Sequence, residues 1–173
     1  EFDEGMLVSI GLKSYLLKNF TTREYGKIFA FGNNDHGQLG DKTTVNKLRP
    51  VCIGATIWKC VVCGKNHTIA IRKFDNSLFV WGSNTKNQLF ESNLPNTNTS
   101  PQIIPNIDIT ELDKIICDDE TTYILTKNKD IFVYGSNEFS QHGEYNLDNF
   151  TYTRPKYSNL NISLSSTNIE SNS

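Results

Sequence analysis

The sequence predicts an all-β repeat protein built from small blades, and three observations carry that expectation. An apolar phrase is written three times, as Lys27-Ile28-Phe29-Ala30-Phe31-Gly32-Asn33-Asn34, Ser77-Leu78-Phe79-Val80-Trp81-Gly82-Ser83-Asn84 and Asp130-Ile131-Phe132-Val133-Tyr134-Gly135-Ser136-Asn137, about fifty residues apart. A second phrase, best seen as Cys63-Gly64-Lys65-Asn66-His67-Thr68-Ile69-Ala70-Ile71, recurs out of step with the first. Within each period the apolar runs are short and bounded by polar turns, which suits strands and is too short for globular helices. Repetition at this period marks units that cannot bury their apolar faces alone and must stack on their neighbours.

The elements follow in chain order. Ile10-Gly11-Leu12-Lys13-Ser14-Tyr15-Leu16-Leu17 is a degraded copy of the second phrase, read as strand, tight turn and strand. The first full apolar phrase, near 27–40, ends in an aromatic followed by Gly and reads as a strand entering a turn. Beyond each such Gly a Gln arrives at the same offset, at Gln38, Gln88 and Gln141, preceded by Gly37, Asn87 and Ser140. Gly and Asn suit a left-handed turn position, whereas Ser does so less readily, so the third turn is expected to differ. The second and third repeats are centred near 77–90 and 130–143. Between them, Glu91 to Asn106 is rich in Asn, Thr and Ser and carries Pro95, Pro101 and Pro105, the composition of a long surface loop. In Cys117-Asp118-Asp119-Glu120-Thr121-Thr122-Tyr123-Ile124-Leu125 three carboxylates replace the Gly-containing turn, and a solvated acidic turn is expected there. The repeat region is drawn as 1–164, with 165–173 as a disordered Ser- and Asn-rich tail.

Together the aromatic-Gly-x-Asn strand end, Gln38-Leu39-Gly40 and Cys63-Gly64-Lys65-Asn66-His67-Thr68 resemble the regulator of chromosome condensation repeat family, over residues from about 6 to 160. The resemblance implies that each repeat is a four-stranded blade of a β-propeller, usually seven-bladed. This sequence departs from the pattern where Phe90 stands for Gly40, His142 for Leu39, and in the worn outer copies of the Cys-Gly-x-x-His-Thr phrase. A ring of seven would need about 360 residues, so 173 residues make an arc of about three blades. The arc opens and ends inside the second phrase, which leads us to expect a piece of a longer propeller, with self-association through open blade edges as the alternative.

Composition narrows the function classes. With 17 basic and 19 acidic residues and no clustering of Lys and Arg, the chain lacks the basic footprint of a nucleic-acid binder. No apolar run approaches a membrane span, no signal peptide is legible, and the four cysteines form no disulfide framework, so the expected address is cytoplasmic or nuclear.

Cys60-Val61-Val62-Cys63 spells a metal or redox spacing, but in a strand residues three apart face opposite ways, so the sulfurs diverge. The family resemblance implies that His67-Thr68 belongs to the repeated framework, where a catalytic group would have no reason to recur in every blade. His36 and His142 are read as solvated turn histidines. The Asn-x-Ser/Thr matches at Asn19, Asn66, Asn98, Asn149 and Asn161 are expected by chance in so Asn-rich a chain. The aromatic set Phe29, Phe31, Phe79, Trp81, Phe132 and Tyr134 reads as blade core. No catalytic constellation, metal site or cofactor site assembles.

The expected function is a protein-protein interaction module that binds a protein partner through rim loops. Its candidate contact residues are Asn34, Asp35, His36, Thr85, Lys86, Glu138 and Phe139, with Glu91 to Asn106 as a further rim segment. The family resemblance implies an alternative, guanine-nucleotide exchange on a small Ran-like GTPase, which needs a complementary surface rather than a catalytic side chain.

Overall fold

The computed structural model describes residues 5–10, 13–18, 26–90, 93–105, 109–140 and 142, the first two stretches by backbone alone. The tail expected at 165–173 lies outside them. Among the described residues eleven strands build three antiparallel meanders. The first blade is β1 (Gly5–Ile10), β2 (Lys13–Lys18), β3 (Lys27–Gly32) and β4 (Lys47–Cys52). The second is β5 (Trp58–Cys63), β6 (His67–Arg72), β7 (Leu78–Ser83) and β8 (Thr97–Ile104). The third contributes β9 (Leu112–Asp118), β10 (Thr121–Thr126) and β11 (Ile131–Gly135), entered through a 3-10 turn at Ile109–Glu111. Strand order within each sheet is sequential, so every connection inside a blade is a hairpin.

The apolar phrase is the third strand of each blade. Register shows the equivalence: His67 lies opposite Gly82 and Thr68 opposite Trp81, while Thr121 lies opposite Gly135 and Thr122 opposite Tyr134. The glycine that closes the phrase is required by its neighbour. A Cβ on Gly82 would stand 2.4 Å from the Asn66 carbonyl oxygen, and one on Gly135 would stand 2.1 Å from that of Glu120. Both glycines also hold φ near +100° (98° and 109°), which L side chains avoid.

Two features differ from expectation. Ser9, rather than Ile10, faces Ser14 as Cys63 faces Thr68; both pairs are five residues apart and Lys13 lies opposite Gly32 as His67 lies opposite Gly82, so the first blade's copy of the phrase aligns one residue away from the sequence reading. Half of the segment expected as a long loop is β8, the outer strand of the second blade. Pro101 is tolerated there because an edge strand leaves one row of N–H groups unpaired, and Pro50 sits likewise on β4.

The core lies in the seams between blades. One cluster joins Ile28, Ala30, Leu39 and Ile53 of the first blade to Trp58, Val61, Cys63, Ala70 and Trp81 of the second. The next joins Ile69, Leu78, Val80, Leu89 and Ile104 to partly buried Ile115 and Cys117 of the third blade. Of the aromatic set Trp81 alone is fully buried, and the rest are half-buried; in the first two blades the aliphatic members of the phrase, Ile28, Ala30, Leu78 and Val80, take the innermost sites. Phe79 meets Trp58 edge-on at 5.3 Å between centroids.

Candidate functional site

The loop after each apolar phrase is built by one asparagine. Asn34 Oδ1 accepts the N–H of Leu39 at 2.9 Å, Asn84 Oδ1 that of Leu89 at 3.0 Å, and Asn137 Oδ1 that of His142 at 2.9 Å. A turn hydrogen bond closes each loop, from Gly37, Asn87 and Ser140 N–H to the same asparagine's carbonyl. Ser140 holds φ +58°, beside +72° for Gly37 and +56° for Asn87, so the third turn matches the others; the closing bond outweighs the modest cost of a left-handed serine.

That construction sorts the expected contact residues. Asn34 is fully buried, its amide donating to Asp41 Oδ1 and to the carbonyls of Thr43 and Val45, so it holds the loop rather than facing a partner. The next two positions point outward: Asp35, Thr85, Glu138 and Phe139 are exposed, and His36 and Lys86 half-buried. Phe139, at the position of His36 and Lys86, is 86 % exposed. The ammonium of Lys86 pairs with Glu138 Oε1 at 2.6 Å and joins the rim loops of the second and third blades.

Beneath the rim, the loop's next residue latches onto the following blade. Gln38 O accepts both the Thr68 hydroxyl and the Trp81 indole N–H, each at 2.9 Å. Gln88 O accepts the Thr122 hydroxyl at 3.0 Å. Because that hydroxyl has one hydrogen and spends it on Gln88, the 2.9 Å contact between His67 Nε2 and Thr122 Oγ1 makes His67 the donor, protonated on Nε2. His67 is therefore a seam residue.

Other candidates fall into place. Cys63 is buried in the first seam while Cys60 is half-buried, its thiol pKa pushed up by burial against a smaller opposite pull from Lys59. The Asp119 carbonyl receives the Lys65 N–H at 2.7 Å across a seam, so the acidic turn has a structural backbone with exposed carboxylates at Asp118 and Asp119. His142, expected in solvent, is buried at the Leu39 and Leu89 position, and burial lowers its pKa below 6.5. Among the described residues no cluster of His, Cys, Asp and Glu could hold a metal ion, and no helix is long and apolar enough to cross a membrane.

Comparison with known proteins agrees with this geometry. The profile of the regulator of chromosome condensation (RCC1) repeat matches residues 25–71, and a second form of it matches 58–88. An RCC1 repeat-containing protein of Dictyostelium discoideum is 29% identical over 156 residues, 82% of this chain and 32% of that protein. Human protein RCC2 is 31% identical over 122 residues, 68% of this chain and 23% of RCC2. The chain thus spans about a third or less of these relatives' length. Among solved structures, Prp20p of Saccharomyces cerevisiae superposes with a TM-score of 0.61 at 20% identity, covering 87% of this chain and 38% of that one. Human WBSCR16 gives 0.61 at 19%, covering 78% and 34%. Those likenesses identify the three sheets as blades of a β-propeller.

Proposed function

From the premise that this chain belongs to the regulator of chromosome condensation repeat family, we propose that it is a protein-interaction module of the cytoplasm or nucleus whose partner docks on the rim formed by Asp35, His36, Thr85, Lys86, Glu138 and Phe139. The observation that carries this reading is Phe139, a large apolar ring 86 % exposed on a loop closed by the Asn137 bonds. Aromatic anchors on preorganised loops contribute disproportionately to binding, since little freedom is lost on association. The Lys86–Glu138 pair beside it supplies polar contacts and orientation.

A photo-crosslinking residue installed at Thr85, followed by mass spectrometry, identifies what meets this rim. Loss of that adduct in a Phe139→Ser, Lys86→Glu double variant supports the reading, and an unchanged adduct overturns it.

A second reading is guanine-nucleotide exchange, supported by likeness to Prp20p, a protein described for its binding to Gsp1p and histones. Faster release of a fluorescent GDP analogue from a Ran-like GTPase favours exchange; stable capture without faster release favours the plain interaction module.

A further inference from the structure

At the other end of the second blade, the β6–β7 hairpin tip and the residues leading into β5 enclose an open groove lined by Thr56, Ile57, Arg72, Lys73, Phe74 and Asp75. Two apolar side chains stand in solvent there, Phe74 at 94 % and Ile57 at 40 % exposure. The hairpin that carries Phe74 is clamped. Arg72 Nε donates to Asp75 Oδ1 at 2.9 Å, its Nη2 pairs with Asp75 Oδ2, and Asp75 Oδ1 also accepts the Ser77 N–H at 3.1 Å. Asn76 completes the turn at φ +56°, and the Arg72 guanidinium lies 4.8 Å from the Phe79 ring centroid. Phe74 is thus held outward by a built turn.

Among the described residues the groove's margin carries, beside the Arg72–Asp75 pair, three exposed lysines: Lys73, Lys59, whose Nζ reaches Asn76 Oδ1 at 3.4 Å, and Lys27 beside the Gly26–Trp58 bridge. The third blade repeats the backbone but not the chemistry: Lys127 N–H bonds Glu111 O as Lys73 N–H bonds Ile57 O, yet Lys127-Asn128-Lys129 carries no aromatic ring and Glu111 replaces the isoleucine. The groove's chemistry is therefore absent from the third blade and not a necessity of the fold.

We propose that this groove is a second docking site, for a short acidic segment of a partner protein that sets one apolar side chain against Phe74 and Ile57 and its carboxylates against Lys59 and Lys73. A groove with a fixed ring on one side and a cationic margin complements a peptide of that composition. It lies on the end of the blade opposite the rim of Asp35, Lys86 and Phe139, so the two sites can be filled together.

Short random peptides displayed on phage and selected against the chain test this directly, with affinities of the selected peptides then read by fluorescence anisotropy. Selected peptides should be acidic with an aliphatic or aromatic residue, should bind more weakly as salt is raised, and should lose about tenfold or more in affinity in Phe74→Ser and in Lys59→Glu with Lys73→Glu. Phe139→Ser should leave them unchanged. No enrichment, or enriched peptides indifferent to Phe74→Ser, overturns the proposal. So does Phe74-dependent sedimentation with phosphatidylserine–phosphatidylcholine vesicles in the absence of selected peptides, which would assign the ring to a membrane surface.

Discussion

A Cβ placed on Gly40 would lie 2.7 Å from Nε1 of Trp81, so the first seam accommodates its large indole because the facing residue has no side chain. The second seam solves the same problem with different sizes: Phe90 stands at the glycine's position, at φ +67°, and meets Tyr134 edge-on at 4.7 Å. The small residue goes with tryptophan and the large one with tyrosine. The departure from the repeat pattern at Phe90 is therefore matched by a smaller ring at Tyr134, in the place of Trp81.

Gly40→Ala should lower stability by about 2–4 kcal/mol, because it adds a clash with a fully buried ring to the strain of a left-handed alanine. Gly54→Ala is its control: φ is +65° there too, but the nearest atom to a Cβ is 4.0 Å away, so only the backbone term of about 1 kcal/mol applies. Denaturant unfolding of both variants separates strain from collision, and equal losses would refute the packing argument.

Trp81→Ala should cost about 3–5 kcal/mol through the cavity it leaves. Trp81→Phe keeps much of the volume and removes the bond to Gln38 O, for a smaller loss of about 1–2 kcal/mol. An unchanged melting temperature in Trp81→Ala would contradict its place in the seam.

Ser83→Asn should stabilise the chain by about 1 kcal/mol. Gln88 is fully buried and its Nε2 has no hydrogen-bond partner, whereas the equivalent Gln38 Nε2 donates to Asn33 Oδ1 at 2.5 Å. Serine at 83 is too short to reach and bonds the Thr85 hydroxyl instead. Thermal unfolding should show a higher midpoint for Ser83→Asn and a lower one for Asn33→Ser; a fall in the first would show that asparagine cannot be accommodated there.

Acidification should destabilise the third blade through His142. Its folded pKa lies below the ordinary 6.5, so the unfolded chain binds the proton more readily, and stability present above about pH 6.5 is lost as pH falls from there towards the folded value. His142→Leu restores the residue found at 39 and 89 and should flatten the pH dependence of the unfolding midpoint between pH 7.5 and 5. An identical slope in the variant would assign the pH response to other groups.

Much of the architecture was legible because the apolar phrase alternates with turn residues and repeats. The three strands ending in Gly32, Gly82 and Gly135, the hairpin around Gly64 and the divergence of Cys60 from Cys63 all follow from period and residue type. What escaped lies in tertiary context. Backbone carbonyls such as Gln38 O leave no mark in the sequence, so the seam latches were invisible although both glutamines were conspicuous. Composition misled at Thr97–Ile104, where prolines signal a loop and the edge of a sheet accepts them. Asn34 looked like a loop residue free to bind, because residue type cannot tell an amide aimed outward from one spent on Asp41, Thr43 and Val45. His142 was misread for a similar reason: its leucine counterparts at 39 and 89 were visible, but polarity suggested solvent.

The latch at Gln38 also implies an order of events. Its carbonyl gains Thr68 and Trp81 as donors only when the next repeat arrives, and that of Gln88 gains Thr122 from the one after. On a ribosome, where the chain emerges from its N-terminus, the rim loops of the first two blades gain these partners only from residues synthesised 30 to 43 positions later. Both of these blades thus remain provisional until their successors clear the exit tunnel, and the rim matures as a wave that trails synthesis by most of one repeat.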